Sequence, residues 1–348
     1  MRESHIKFSH LSIFCAFLCA LSLSGSVYRI LPAKNNGILS ESDKNVLVQN
    51  SIPSAGSGAT VIVTAATFNY MDFLRNLRCT IKRSTPHEVV VFPLDMKTSK
   101  ALKDENIPQI SRFVKYNKYE NRKTSEFNSL GFNYVSKLKL LVVQEVLRAG
   151  INVIYTDLDI IWCKDPVSHL LKYVNNTVDI AIQNDASRDS GKRNLNSGFY
   201  FARTSPRILR FYKTLLKYAF ENEGINDQKS FIRIACTVAG PGKDLPFQSV
   251  REGEVRVCRW DKLVTLFALP LSLYPNGASF HDTTRMYQLP KGKILSMCQK
   301  KDIYIWHNNW SSANDKKTRF IAHKLWMIDD KSGKCKSRNT SVFDRNSK

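Results

Sequence analysis

The sequence predicts an α/β protein whose mostly parallel sheet is flanked by helices. Three observations carry that expectation. Val61-Ile-Val-Thr-Ala-Ala is a short β-branched run with the length of a buried strand, and helical spacing of Phe73, Leu74, Leu77 and Ile81 follows it. Apolar residues at Val135, Leu138, Leu141, Val142, Val146 and Leu147 mark a helix that stops at Gly150, the preferred residue just past a helix end. Asn152-Val-Ile-Tyr-Thr comes directly after it as a strand, and strand-helix-strand alternation argues for parallel pairing.

The remaining elements follow in chain order. Leu11 to Tyr28 carries no formal charge and is preceded by Arg2 and Lys7, the layout of a signal peptide or signal anchor. Ser24-Gly25-Ser26 would suit cleavage, and the anchor reading keeps residues 1–10 as a cytosolic tail and 11–28 as the membrane helix of a type II protein. Residues 29–60 are polar and rich in Ser, Asn and Gly, and read as a flexible stem; a lumenal domain then covers 61–348. Glu88-Val-Val-Val-Phe-Pro is a second strand, whereas Lys97 to Glu126 is charged and ambiguous. Asp179-Ile-Ala-Ile and Gly198-Phe-Tyr-Phe-Ala are further strands. After them Ser205 caps a helix with Pro206 at its first position, and the apolar face runs through Leu209, Tyr212, Leu216 and Phe220.

Composition bounds the function. The chain has 348 residues, 43% of them hydrophobic, with 15 Gly and 12 Pro, which excludes collagen-like and wholly disordered classes. Its net charge of +22 favours anionic partners, but the basic residues are scattered and no standard nucleic-acid motif appears, so no nucleic acid is expected. Outside the anchor lie Cys79, Cys163, Cys236, Cys258, Cys298 and Cys335, an even number compatible with two or three disulfides in an oxidising lumen. Sequons at Asn175, Asn309 and Asn339 are compatible with lumenal glycosylation.

Chemistry concentrates in Ile154-Tyr-Thr-Asp157-Leu-Asp159-Ile-Ile-Trp162. Side chains two apart on an extended chain point the same way, so Asp157 and Asp159 can present two carboxylates together where an open α/β sheet binds its ligands. Hard oxygen ligands of this kind suit Mg²⁺ or Mn²⁺ held together with substrate phosphates. Solvated turn acids are the competing explanation.

The stretch GINVIYTDLDIIWCKDP resembles the metal-binding motif of the nucleotide-diphospho-sugar transferases that include plant xylosyl- and arabinofuranosyltransferases. Further matches follow in register: VIVTAATFNYMDFLRN, Lys139, QND at 183–185, LNSGFYFARTSP at 195–206, NDQ at 226–228 and WHNNW at 306–310 followed by K..RF. The resemblance spans about residues 61–326 and implies a GT-A fold with a mixed, mostly parallel sheet. It further implies transfer of a sugar from a nucleotide-diphosphate donor, with UDP expected, to a glycan or glycoprotein acceptor with retention of configuration; the N-terminal segment adds the expectation of a Golgi or ER location. Asp157, Asp159 and His307 would hold Mn²⁺ or Mg²⁺. Thr64, Ala65, Asn69, Lys139, Asp157, Asn196, Gly198 and Lys316 would bind the nucleotide and donor sugar, with Gly198 allowing close backbone approach. Asp185, Asp227 and Gln228 would surround the donor sugar and the acceptor hydroxyl. Leu158 and the Cys163-Lys164 pair depart from the family's usual acidic or small surround.

Two alternatives stand beside this expectation. A haloacid-dehalogenase-type phosphatase also carries D-x-D at a strand end, but it wants Thr or Val where Ile161 stands. A basic lumenal glycan-binding protein would keep every motif as a scaffold, and only activity separates it from the enzyme.

Overall fold

The computed structural model describes residues 38–53, 58–117, 128–174, 178–185, 195–236, 258–260, 264–277, 293–300, 302–311 and 313–337. The expected tail and anchor lie outside them, and among the described residues no helix is long and apolar enough to cross a membrane. Structure begins ahead of Val61. Ser40 caps helix α1 (Glu41–Gln49), its hydroxyl accepting from the Asp43 amide while the Asp43 carboxylate accepts from the Ser40 amide. Leu47 is fully buried, Arg112 pairs with Asp43, and Ile52 bridges to Thr60, so part of the segment read as flexible stem is folded onto the domain. One capping box and one buried leucine are too little apolar pattern to stand out in the sequence.

Strand β1 (Thr60–Ala66) is buried throughout and leads through the turn Phe68–Tyr70 into α2 (Met71–Ser84). Then come β2 (Val89–Pro93), α3 (Met96–Asp104) and α4 (Leu130–Arg148). Helix α4 ends as its sequence requires: Gly150 takes φ +82°, its amide donates to Leu147, and the Ile151 amide reaches back to Val146. The chain continues as β3 (Asn152–Thr156), β4 (Ile160–Trp162), α5 (Val167–Tyr173), β5 (Ile180–Asn184) and β6 (Leu195–Ala202). Ser205 accepts from the Ile208 amide to start α6 (Pro206–Glu221), and α7 (Asp227–Cys236), β7 (Cys258–Trp260) and β8 (Val264–Leu269) follow. The last elements are α8 (Lys293–Gln299), β9 (Ile305–His307) and α9 (Ala313–Ala322).

Seven strands form one sheet in the order β2-β1-β3-β6-β5-β8-β7. Strands β2, β1 and β3 are parallel, as are β5 and β8, while β6 runs against β3 and β5 and β7 runs against β8. The sheet is therefore mixed and mostly parallel. The chain moves outward from β1 to β2 and then returns to place β3 on the other side, and such a switch point opens a ligand crevice beyond the strand ends. Because β6 is antiparallel, its first residues, Asn196 to Gly198, lie at the same sheet edge as the last residues of β3 and β5.

A second sheet pairs β4 with β9 antiparallel, Ile160 opposite His307. Ile160, Trp162 and Ile305 on one face of it join the main core, while Ile161 and Trp306 on the other join a smaller core with Phe73, Ile294, Phe320 and Trp326, among others. Both disulfides of the described residues fasten this core: Cys79–Cys335 ties α2 to the C-terminal segment, and Cys163–Cys298 ties the residue after β4 to α8.

Candidate active site and cation site

Asp157 and Asp159 leave the end of β3, and the β4–β9 pairing returns His307 beside them, with the Asn308 amide donating to the Asp159 carbonyl at 2.9 Å. One ligand atom from each of Asp157, Asp159 and His307 lies within 4.8 Å of the others. The imidazole is oriented by a residue the motif reading left without a role. Gln183 spends its amide nitrogen on the carbonyls of Tyr274 and Pro275, both at 3.1 Å, so its oxygen faces His307 Nδ1 at 2.7 Å as an acceptor. The network thereby assigns the ring proton to Nδ1 and leaves the Nε2 lone pair facing Asp159 Oδ1 at 3.2 Å. Two acceptors turned toward each other are satisfied by a shared cation, and two carboxylates with an imidazole are a donor set for a divalent metal ion.

Gly198 is required by the same closeness. A Cβ there would stand 2.4 Å from His307 Cε1 and 2.7 Å from Asp157 Oδ2, so what its missing side chain admits is the cation triad itself. Its carbonyl accepts from the Asp157 amide at 2.7 Å.

Two lysines neutralise the carboxylates. Lys139, from α4, lies 3.0 Å from both Asp157 and Asp227, and Lys316, from α9, lies 2.8 Å from Asp159. Burial opposes the charge on Lys139, but Asp157 and Asp227 outweigh it and hold the ammonium well above the usual lysine value. Burial likewise opposes charge on Lys316, and Asp159 raises it. Asp159 is buried too, yet the Lys316 ammonium beside it holds it well below the usual carboxylate range. Burial wins at Asp157, which is raised despite Lys139.

A second cluster lies at the end of β5. Asp185 Oδ1 accepts from Asn196 at 2.8 Å, Asn309 at 2.8 Å and the Trp310 indole at 3.0 Å, and Oδ2 accepts from Gln228 at 3.0 Å. Asn196 in turn accepts from the Gly198 amide, and Ser197 donates to Asp227 at 2.8 Å. The site residues expected around donor and acceptor are thus brought into one network. Asn309, the middle sequon, is committed to it, since its side chain also accepts from the Gly277 amide at 2.6 Å. The other two sequons begin outside the described residues.

Beside the triad lies a cavity of about 190 Å³ at the switch point, lined by Ala65, Thr67, Tyr70, Phe132, Leu158 and Lys316 among others. Of the residues expected at the donor, Ala65, Lys139, Asp157 and Lys316 line it. Thr64 and Asn69 do not: Thr64 is wholly buried within β1, and Asn69 is exposed in the turn after it. Thr67, Tyr70 and Phe132 line the cavity without having been singled out in the sequence, and only the handover from β1 to α2 could have hinted at the first two. The unusual Cys163-Lys164 pair faces elsewhere, Cys163 in its disulfide and Lys164 4.0 Å above the Tyr304 ring.

An open α/β sheet with a carboxylate–imidazole triad at its strand ends, flanking lysines and a cavity at the switch point is suited to a cation and a phosphate-bearing ligand. The model of the nucleotide-diphospho-sugar transferase family matches residues 86–321, and the chain belongs to that family. It is 29% identical over 284 residues to a β-arabinofuranosyltransferase of Arabidopsis thaliana, covering 79% of this chain and 49% of that protein. It is 28% identical over 215 residues to a UDP-galactose:fucoside alpha-3-galactosyltransferase of Dictyostelium discoideum, covering 59% of this chain and 30% of that one. The chain thus spans about half the length of the first relative and under a third of the second. The solved mouse xyloside xylosyltransferase 1 covers 73% of this chain at 12% identity and a TM-score of 0.43.

Proposed function

We propose that this chain is a cation-dependent glycosyltransferase of GT-A type that moves a sugar from a UDP-sugar to a glycan or glycoprotein acceptor. The observation that carries the reading is the Asp157, Asp159 and His307 group beside the switch-point cavity. The residues fit Mn²⁺, which when bound neutralises a diphosphate as the sugar leaves. Lys139 and Lys316, charged and already poised on the carboxylates, would meet the phosphate oxygens. Asp185 holds Asn196, Asn309, Gln228 and Trp310 in place through four accepted hydrogen bonds, and Asp227 is engaged by Lys139 and Ser197. With both carboxylates committed to these partners, retention would follow a front-face route, which needs no enzyme nucleophile and in which the leaving phosphate would help to deprotonate the acceptor. A UDP donor is supported by the name of the fucoside galactosyltransferase relative. The anchor at residues 11–28 and a Golgi or ER location follow the sequence pattern and belong to the same proposal.

The test is thermal unfolding of the full chain with UDP, GDP or neither, each with Mn²⁺ or chelator. A ligand at about 100 times its Kd stabilises by about 2.7 kcal/mol, so stabilisation by UDP only with Mn²⁺ is expected. Persistence of that shift after Asp157→Ala plus Asp159→Ala would overturn the reading.

A further inference from the structure

We propose that Trp310 is the stacking platform for a sugar ring of the acceptor, an assignment that rests on the glycosyltransferase reading. Trp310 is 57% exposed, a large apolar surface left in water immediately beside a buried polar site. It is not exposed by looseness. Its backbone takes φ +59°, a left-handed conformation that a bulky residue adopts only where its surroundings hold it. The preceding residue is fixed on three sides: Asn309 donates to Asp185, accepts from the Gly277 amide, and its carbonyl receives Arg319 at 3.2 Å. The indole N–H is then spent on Asp185 Oδ1 at 3.0 Å, which sets the ring's position while its surface stays open.

Sheet order says which sugar it meets. The cavity lies at the ends of β1, β2 and β3, the triad follows β3, and Asp185 follows β5 on the other side of β6. Trp310, within hydrogen-bond distance of Asp185, is therefore separated from the nucleotide cavity by the cation triad. A donor whose diphosphate lies at the triad sets its own sugar ring, and with it the anomeric carbon, beside the buried Asp185. The acceptor hydroxyl must come within reach of that carbon from the solvent side of the cluster, where Trp310 is exposed, and the apolar C–H face of the acceptor ring packs well on an exposed indole anchored at its polar edge.

The experiment compares the full chain with Trp310→Ala and Trp310→Phe. Saturation-transfer NMR titrations use methyl α-L-fucoside and methyl β-D-galactoside as probes, and the UDP–Mn²⁺ thermal shift is recorded in parallel. One glycoside should bind the wild type through its ring C–H protons, about tenfold more weakly in Trp310→Ala and with a smaller loss in Trp310→Phe, which keeps a ring. The UDP–Mn²⁺ shift should be the same in all three. Equal glycoside binding by wild type and Trp310→Ala, no binding of either glycoside by wild type, or loss of the UDP–Mn²⁺ shift in Trp310→Ala alone would each overturn the assignment. Absence of the UDP–Mn²⁺ shift in every protein would instead overturn the transferase reading, and the glycoside comparison would still decide the platform.

Discussion

Adding one methyl group at Gly198 tests the cation site most directly. An ideal Cβ there would lie 2.4 Å from His307 Cε1 and 2.7 Å from Asp157 Oδ2, where ordinary contact begins at 3.4 Å. Gly198→Ala therefore demands a displacement of roughly 1 Å shared between two of the three ligands, and a misplacement of that size costs about 10²-fold at a reacting centre. The overpacking itself should cost about 1–3 kcal/mol of stability. His307 cannot retreat freely, because Gln183 holds Nδ1 and β4 holds its backbone. Mn²⁺ titration by calorimetry, with unfolding temperature measured alongside, should show a folded variant whose affinity falls at least about tenfold. Gly224→Ala, where a Cβ meets nothing within 4 Å, is the control and should change neither property. Wild-type Mn²⁺ affinity in folded Gly198→Ala would refute the assignment of the triad as a cation site.

Three further outcomes are expected. Gln183→Leu removes the acceptor that sets the His307 tautomer and should weaken Mn²⁺ binding about 10–100-fold, whereas unchanged affinity would mean the imidazole is not a ligand. Cys79→Ala should lower stability by about 2–5 kcal/mol, since its bridge to Cys335 closes a loop of separation 256; guanidinium denaturation measures this, and a loss below 1 kcal/mol would count against it. His169 and His323 are both lowered below the usual histidine value by burial, with nearby cations adding to it, so the unfolded chain binds those protons more readily than the folded one. Their stabilisation is complete above about pH 6.5 and lost as pH falls through their folded values, and urea midpoints between pH 5 and 7.5 should decline toward acid, less steeply in His323→Gln.

What the sequence made legible was local. The strand Asn152–Thr156, the Ser205-capped helix and the Gly150 stop each depend on residues within a turn or two of themselves, and each forms where the pattern put it. The pairing of Asp157 with Asp159 is local as well, being two residues on one chain direction. Thr64 illustrates the limit. Its place at the end of a strand fits a ligand contact equally well on either face, and the pleat alone decides that Ala65 reaches the cavity while Thr64 is buried. Helix α1 was hidden for a different reason: its stability comes from a cap and from partners such as Arg112 far along the chain.

The site's remaining parts are tertiary, and they depend on one device. His307, Lys316 and Trp310 all come from the segment after α8, and that segment is held to the sheet by the β4–β9 pairing and by two disulfides. The strands supply the carboxylates, and the fastened C-terminal segment supplies the imidazole, a neutralising lysine and an aromatic ring. Partial reduction that opens Cys163–Cys298 should therefore impair Mn²⁺ binding before the main sheet unfolds, because β4 and β9 lose a tether while β1, β3 and β6 stay paired through their own backbone hydrogen bonds. Parallel loss of Mn²⁺ affinity and far-ultraviolet dichroism during such a reduction would refute this separation of a stable sheet from a fastened, ligand-bearing flap.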